Sequence, residues 1–218
     1  MRIATWNVRG LRDDTRLLTE VLLAARPEVL CLQEAPLGWR SAGRLRRWAD
    51  GCGLAVAAQA ANRETALLVS PQVEVVDAGD LDLPFTAGRP PRAAAWAEVE
   101  VAGQRATVMS VHLGLDPGER LDQAMVLRSA AAKWSGLPLI IAGDLNERLT
   151  GPAARVAAEG LQDAGAAENA PTFPARQPTR RIDAVLVDPR LRVISCRTFT
   201  GLDRATDHCP VIVDLEPA

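Results

Sequence analysis

Five times along this chain a polar or titratable group stands at one end or the other of a predicted strand. Trp6-Asn7 follows Ile3-Ala4, Gln33-Glu34 follows Val29-Leu30-Cys31-Leu32, and Asp144-Leu145-Asn146 follows Leu139-Ile140-Ile141-Ala142-Gly143. The only two histidines are placed in the same way, His112 in Ser110-Val111-His112-Leu113 and His208 in Thr206-Asp207-His208-Cys209-Pro210-Val211. Short runs rich in Val, Ile and Leu demand a buried sheet. Strand tips that converge on one edge of it gather these groups into a single pocket.

At 218 residues and 48% hydrophobic, the chain is long enough for one well-buried core and too short for two comfortable domains, so one domain over 1–218 is expected. Asp+Glu at 27 nearly balance Lys+Arg at 25, which argues against the basic footprint of a dedicated duplex-binding module; any polyanion is held locally. Lys133 is the only lysine. Arginine suits bidentate phosphate contacts, although an Ala/Arg-rich coding bias explains the usage equally well. Cys31, Cys52, Cys196 and Cys209 lack Cys-x-x-Cys spacing and read as reduced small hydrophobes rather than a disulfide frame or zinc cage. Trp6-Asn7 lies almost at Met1, leaving no room for a signal peptide, and no apolar run approaches membrane-spanning length. A cytoplasmic monomer is expected, with no membrane association and no obligate protein partner.

Periodicity predicts strands over Arg2–Asn7, Glu28–Gln33, Leu54–Gln59, Thr65–Ser70, Val73–Val76, Ala93–Val101, Ala106–His112, Leu137–Gly143, Ile182–Val187, Val193–Phe199 and Pro210–Leu215. Helices are predicted from an Asp13 or Asp14 cap to Ala25, over Arg40–Asp50, and from Pro117 to about Trp134. Leu83–Pro91 and Ala170–Thr179 read as loops. The pattern is mixed α/β.

Glu34, at the end of an apolar strand, is the first candidate for a metal ligand. A buried carboxylate without a cation is costly and a hard divalent ion takes oxygen, which favours Mg²⁺, then Mn²⁺. Asp144 and Asn146, one residue apart on an extended tip, put a carboxylate and an amide on the same side of the chain, an arrangement suited to orienting water for phosphoryl hydrolysis. Asp183 and His208 form a candidate dyad, in which a carboxylate on one imidazole nitrogen fixes the tautomer and raises its basicity.

In order and context, Thr5-Trp6-Asn7-Val8-Arg9-Gly10-Leu11, Leu32-Gln33-Glu34, Ser110-Val111-His112-Leu113, Gly143-Asp144-Leu145-Asn146, Thr172-Phe173-Pro174, Arg181-Ile182-Asp183 and Thr206-Asp207-His208-Cys209-Pro210-Val211 resemble the endonuclease/exonuclease/phosphatase superfamily. The resemblance runs from Arg2 to Leu215. It implies a four-layer αββα sandwich of two packed mixed sheets, deoxyribonuclease-I-like, and metal-dependent hydrolysis of a phosphoester without a covalent enzyme intermediate. It further implies Asn7 and Glu34 near the metal with Asp207 close by, Asp144 aligning or deprotonating the attacking water, and His112, Asn146 and His208 around the phosphate. Apurinic endonucleases place a tyrosine where His112 falls, and this chain has none; Ala35 also replaces the small polar residue that often follows their Gln-Glu. The chain therefore looks nearer the histidine-bearing branch, with pancreatic-type deoxyribonucleases, sphingomyelinases, inositol-phosphate phosphatases and deadenylases. Thr206, where serine is usual, keeps the hydroxyl.

Arg176, Arg180 and Arg181 lead directly to Asp183, and Arg89 or Arg92 approaches from another loop, so these arginines are candidates for flanking phosphates, with Asn7 and Asn146 also facing substrate. Nucleic acid is the leading substrate, a single strand stacking on Trp39 or Trp48 if these are exposed. The slight negative net charge of -2 suits a small phosphodiester, a phosphomonoester, a sugar phosphate or a lipid head group just as well. A binding protein that kept the fold without catalysis is the third reading.

Overall fold

Alternation with period two, carried from strand to strand in register, explains how this chain builds its layers. The computed structural model describes residues 1–37, 41–60, 64–134 and 136–218. Its strands are β1 (Arg2–Asn7), β2 (Val29–Gln33), β3 (Ala55–Gln59), β4 (Ala66–Val69), β5 (Glu74–Asp82), β6 (Ala93–Val101), β7 (Gln104–His112), β8 (Leu139–Asp144), β9 (Gln162–Asp163), β10 (Asp183–Val187), β11 (Leu191–Thr198) and β12 (Val211–Pro217). Its α-helices are α1 (Thr15–Ala25), α2 (Ser41–Gly51), α3 (Pro117–Ala131) and α4 (Pro152–Ala157). Two six-stranded sheets result, ordered β11-β12-β1-β2-β4-β3 and β5-β6-β7-β8-β10-β9. Each is mixed, with one parallel pair, β1 with β2 and β7 with β8.

The apolar side chains separate into three buried groups that mark the four layers. Ile3, Val29, Cys31, Leu67, Val108, Ile140, Val185 and Val213 fill the space between the sheets. Alternate residues of the same strands, Ala4, Trp6, Leu30, Leu32 and Leu68, face outward under Leu18 and Leu22 of α1 and Leu45 of α2. On the far side, Met109, Val111, Ile141 and Leu186 lie under Ala124 and Leu127 of α3 and Ala153 of α4. Asp14 caps α1 by accepting from Leu17 N at 3.1 Å. Asp116 caps α3, accepting from Glu119 N at 3.0 Å, and Pro117 opens that helix where a missing N–H costs nothing.

The expected helix Arg40–Asp50 is found as Ser41–Gly51, with Arg40 and Trp39 outside the described residues. β5 runs to Asp82, well beyond the expected Val76. α4 and β9 carry too short a pattern to be anticipated. Among the described residues no helix is long and apolar enough to cross a membrane. All four cysteines are free, and burial pushes the Cys209 thiol up to about 11.

Candidate active site

The alternation that sends Ile140 and Ala142 into the inter-sheet core also sends Asp144 inward. The same parity on β10 aligns Asp183 with Val185 and Val187. Register does the rest. His112 pairs with Asp144 across β7 and β8, and Asp144 pairs with Asp183 across β8 and β10. Three titratable side chains thus stand side by side at the tips of neighbouring strands. From the facing sheet, Asn7 lies opposite Gln33 at the tips of β1 and β2 and donates through Nδ2 to Asp144 Oδ2 at 3.2 Å and to Glu34 Oε1 at 3.0 Å. One network therefore runs from Glu34 to Asp144.

Two histidines flank the Asp144 carboxylate. His112 Nε2 lies 3.5 Å and His208 Nε2 3.7 Å from its Oδ2. Each imidazole is backed by an acid at Nδ1, His208 by Asp183 at 3.0 and 3.1 Å and His112 by Glu64 at 3.1 Å. Burial disfavours the His208 imidazolium, but the Asp183 charge and its hydrogen bond, with Asp144 and Asp207 nearby, outweigh it and raise the group to about 9. Glu64 behaves in the opposite sense. Burial pushes its carboxyl up, and His112 and Arg92 overcome that and hold it at about 2. Asp144 sits above the ordinary carboxylate range because of burial and the neighbouring Asp183 charge, despite the pull of both histidines.

The loops that complete the site are pinned by backbone and hydroxyl bonds. Thr172 Oγ1 accepts from both Ile182 N and Asp183 N at 3.2 Å, and Cys209 N donates to Thr172 O at 2.8 Å. Trp6 Nε1 donates to His208 O at 2.9 Å, and Thr206 Oγ1 to Asn7 O at 2.9 Å. The Phe173 ring stands 4.7 Å from the His208 ring at 51°. Asn146 differs from expectation. The tip is not extended; at φ 52 it turns back, Asn146 N donates to Asp144 Oδ1 at 2.8 Å, and Asn146 Nδ2 donates to Leu113 O at 2.8 Å, as Asx turns do.

Glu34 also has a left-handed backbone, φ 49, which for a residue of this type stores strain and marks a position held for a purpose. Among the described residues only Asn7 bonds its half-buried carboxylate. Asp207 is more open, 3.8 Å from Arg9 Nε, and Thr206 links it to the Asn7 backbone. These carboxylate and amide oxygens fit a hard divalent ion. Asp144, Asp183 and His208 also offer ligand atoms within 4.8 Å of one another. There, however, the His208 Nδ1 edge is already taken by both Asp183 oxygens, so the cluster is a hydrogen-bonded dyad beside a carboxylate rather than a free ligand set.

The arginines divide. Arg92 is buried and reaches the site, with Nη1 bonded to Glu64 and 3.2 Å from His112 Nδ1. Arg180 is exposed over the Phe173 ring, 4.8 Å from its centroid, and Arg176 is exposed on the same loop. Arg181, expected at the substrate, is not brought to this cluster. Its guanidinium is buried and forked onto Asp163, with Nη1 to Oδ2 at 2.7 Å, because a carboxylate on adjacent β9 offers the bidentate geometry that guanidinium favours. Trp48, on α2, packs half-buried against the outer core. Glu64 and the Phe173–His208 contact were not anticipated. Phe173 lay inside a recognised motif, whereas Glu64 carries no periodic or motif signal.

The chain belongs to the endonuclease/exonuclease/phosphatase family, whose sequence model matches residues 4–208. A comparison with curated proteins finds no match. Among solved structures, it is similar to a functionally unknown conserved protein from Enterococcus faecalis, with TM-score 0.83 and 19% identity over 100% of both chains. It is similar to a mannosyl-6-phosphatase from Bacteroides thetaiotaomicron, with TM-score 0.82 and 16% identity over 99% of both chains. It also resembles D. rerio TDP2 complexed with a single-strand DNA product, with TM-score 0.81 and 21% identity over 99% of this chain and 98% of that one. The shared feature is the two-sheet sandwich.

Proposed function

We propose that this protein is a divalent-metal-dependent phosphoester hydrolase that attacks phosphorus directly with water. The observation that carries the reading is the register of His112, Asp144 and Asp183 on adjacent strands, with Asp183 backing His208 from the same inner face. Asp144, whose carboxyl is raised, accepts a proton from water better than an ordinary carboxylate. His208, charged at neutral pH, and His112 donate from Nε2 to non-bridging phosphate oxygens as negative charge grows there. Asn7 positions Asp144 and Glu34 through one amide group, and the second Asn146 N–H completes the donor set. Glu34, with Asn7 and Asp207 beside it, would hold a Mg²⁺ or Mn²⁺ ion, which would supply charge neutralisation at the phosphate and the leaving oxygen. Water's oxygen forms the new P–O bond as its proton passes to Asp144, and the ester P–O bond breaks with its electron pair going to the leaving oxygen, which takes a proton from solvent.

A small phosphoester is the favoured substrate. Of the groups that pointed to nucleic acid, Arg181 is committed to Asp163, Trp48 is half-buried against the outer core and Arg92 belongs to the site interior. Exposed Arg176 and Arg180 beside Phe173 support the nuclease reading. Mannosyl-6-phosphatase activity and single-strand DNA binding, described for two similar structures, bracket the same choice.

The test is turnover of p-nitrophenyl phosphate and its bis-ester, sugar phosphates, plasmid DNA, an abasic duplex and RNA at two salt concentrations, with Mg²⁺, Mn²⁺ or chelator. Asp144→Asn and His208→Ala are expected to lose on the order of 10²-fold or more in kcat, and chelation is expected to abolish turnover. Chelator-insensitive hydrolysis contradicts the metal assignment. Nucleic-acid cleavage that weakens steeply with salt favours the nuclease.

A further inference from the structure

Beside Arg92, whose Nη1 lies 3.2 Å from His112 Nδ1, the surface opens into a cavity of about 370 Å³. Arg89, Pro90 and Arg92 form one wall on the approach to β6, and Leu115, Asp116 and Pro117 form the other between β7 and α3. Its volume is near the lower bound of about 300 Å³ for small-ligand sites, enough for one ring system and too little for a polymer.

The cavity's donors point to a ligand. Arg92 is only 8% exposed, and among the described residues its hydrogen bonds use Nη1 alone. The donors on Nε and Nη2 are therefore left for whatever occupies the space this side chain lines. The acceptor need not be a second phosphate, because the charge is already balanced. Glu64 answers Arg92, and Asp116 answers Arg89 at 3.0 Å. Glu119, beneath them, is spoken for by Thr86 N at 3.0 Å and Gln123 Nε2 at 3.3 Å, which fixes the wall. No aromatic ring lines the cavity among the described residues, so it is not built to stack a base. Arginine donors and a carboxylate acceptor instead match hydroxyls, which donate and accept at once, while Pro90, Leu115 and Pro117 present apolar surface to the C–H face of a saturated ring.

We propose that this cavity holds the uncharged, hydroxylated ring that carries the scissile phosphate, so that the preferred substrate is a sugar phosphoester. The inference rests on the hydrolase reading above and names its substrate class.

Leu115 is 77% exposed, so Leu115→Trp fills the mouth with little risk to folding. Arg89→Ala removes a donor from the opposite wall. For the wild type and both variants, with Mg²⁺ present, kcat/KM is measured on glucose 6-phosphate, mannose 6-phosphate and ribose 5-phosphate against p-nitrophenyl phosphate and a DNA oligonucleotide. Calorimetry compares binding of the same sugar phosphates with that of inorganic phosphate. The wild type is expected to prefer a sugar phosphate, and each variant to lower the ratio of sugar-phosphate to p-nitrophenyl-phosphate kcat/KM by about tenfold or more, mainly through KM. The same loss is expected in sugar-phosphate affinity relative to inorganic phosphate. A wild type that prefers the aryl ester or DNA overturns the inference while leaving the hydrolase reading intact, as does a ratio that neither variant moves. Failure to hydrolyse any phosphoester with Mg²⁺ or Mn²⁺ overturns the hydrolase reading, and this inference with it.

Discussion

A buried imidazole normally loses its proton readily, and His208 keeps it because Asp183 lies 3.0 Å from Nδ1. With the group raised to about 9, the imidazolium is fully present at low and neutral pH and is lost as pH rises through 9. Any step that uses its charge follows the same course. Asp183→Asn removes the counter-charge but leaves the burial. The alkaline limb of kcat/KM against pH is therefore expected to move acidward by about 1–3 units, with kcat down on the order of 10²-fold. A limb that stays near 9 in the variant shows that His208 is not the group titrating. Glu64→Gln is expected to cost roughly tenfold or more in kcat, because His112 loses the acid that orients it while Arg92 loses its counter-ion. A kcat within twofold of wild type removes Glu64 from the site. At this scale the sequence exposed the groups that stand on strands and hid those that do not. Asn7, His112 and Asp144 were legible because each ends an apolar run, and Asp183 because it opens one. Glu64 sits in a loop, and its partners are 48 and 28 residues away in His112 and Arg92. Arg181 was misplaced because its partner, Asp163, lies on a strand of two residues that leaves no pattern.

Elements bring these residues together only if neighbouring backbones approach closely, and among the described residues one glycine makes the closest approach. A Cβ on Gly143 of β8 would lie 1.9 Å from Val111 O and 2.9 Å from Val111 Cγ2 on β7. It sits one position before Asp144, so side-chain space is sacrificed where the register of His112 with Asp144 is set. Gly143→Ala is expected to destabilise by about 3 kcal/mol or more, a fall in melting temperature of roughly 6–12 °C for a chain of this size. Gly51→Ala, at the end of α2 with nothing within 4 Å of the added atom, is expected to be neutral or slightly stabilising. Paired thermal melts decide this, and equal melting temperatures would show that β7 and β8 have room to separate. The legibility of elements follows the same physics. Strands with a buried face were found within a residue or two of their ends. β5 was cut short because Asp77, Ala78, Gly79 and Asp80 are poor strand formers. It exists as an exposed edge, held by pairing with β6 from Glu74 to Asp82, and its acids discourage pairing with another chain.

For the whole molecule, the candidate site coincides with the seam between the sheets. Gln33 Nε2 donates to Ser110 Oγ at 3.2 Å, Ser110 Oγ donates to Leu32 O at 3.1 Å, and Thr65 Oγ1 donates to Ala93 O at 2.6 Å. Each bond joins one sheet to the other, and Asn7 to Asp144 does the same inside the site. Most of what holds the sheets together is apolar burial between them, which is non-directional and sets no fine register. These polar bonds fix the relative placement of the two sets of strand tips, and a displacement of about 1 Å at reacting groups is costly. A ligand that engages Glu34 from one sheet and His112 from the other adds a further tie, and it binds the folded state alone. By linkage, Mg²⁺ or inorganic phosphate, each at 100 times its dissociation constant, stabilises by about 2.7 kcal/mol. That corresponds to a rise of roughly 5–11 °C in melting temperature. Glu34→Ala is expected to remove the part of the rise due to Mg²⁺, and His112→Ala the part due to phosphate, with each ligand titrated separately in a thermal melt. If the Mg²⁺ shift persists undiminished in Glu34→Ala, the ion is held elsewhere and the site at the seam loses its metal corner.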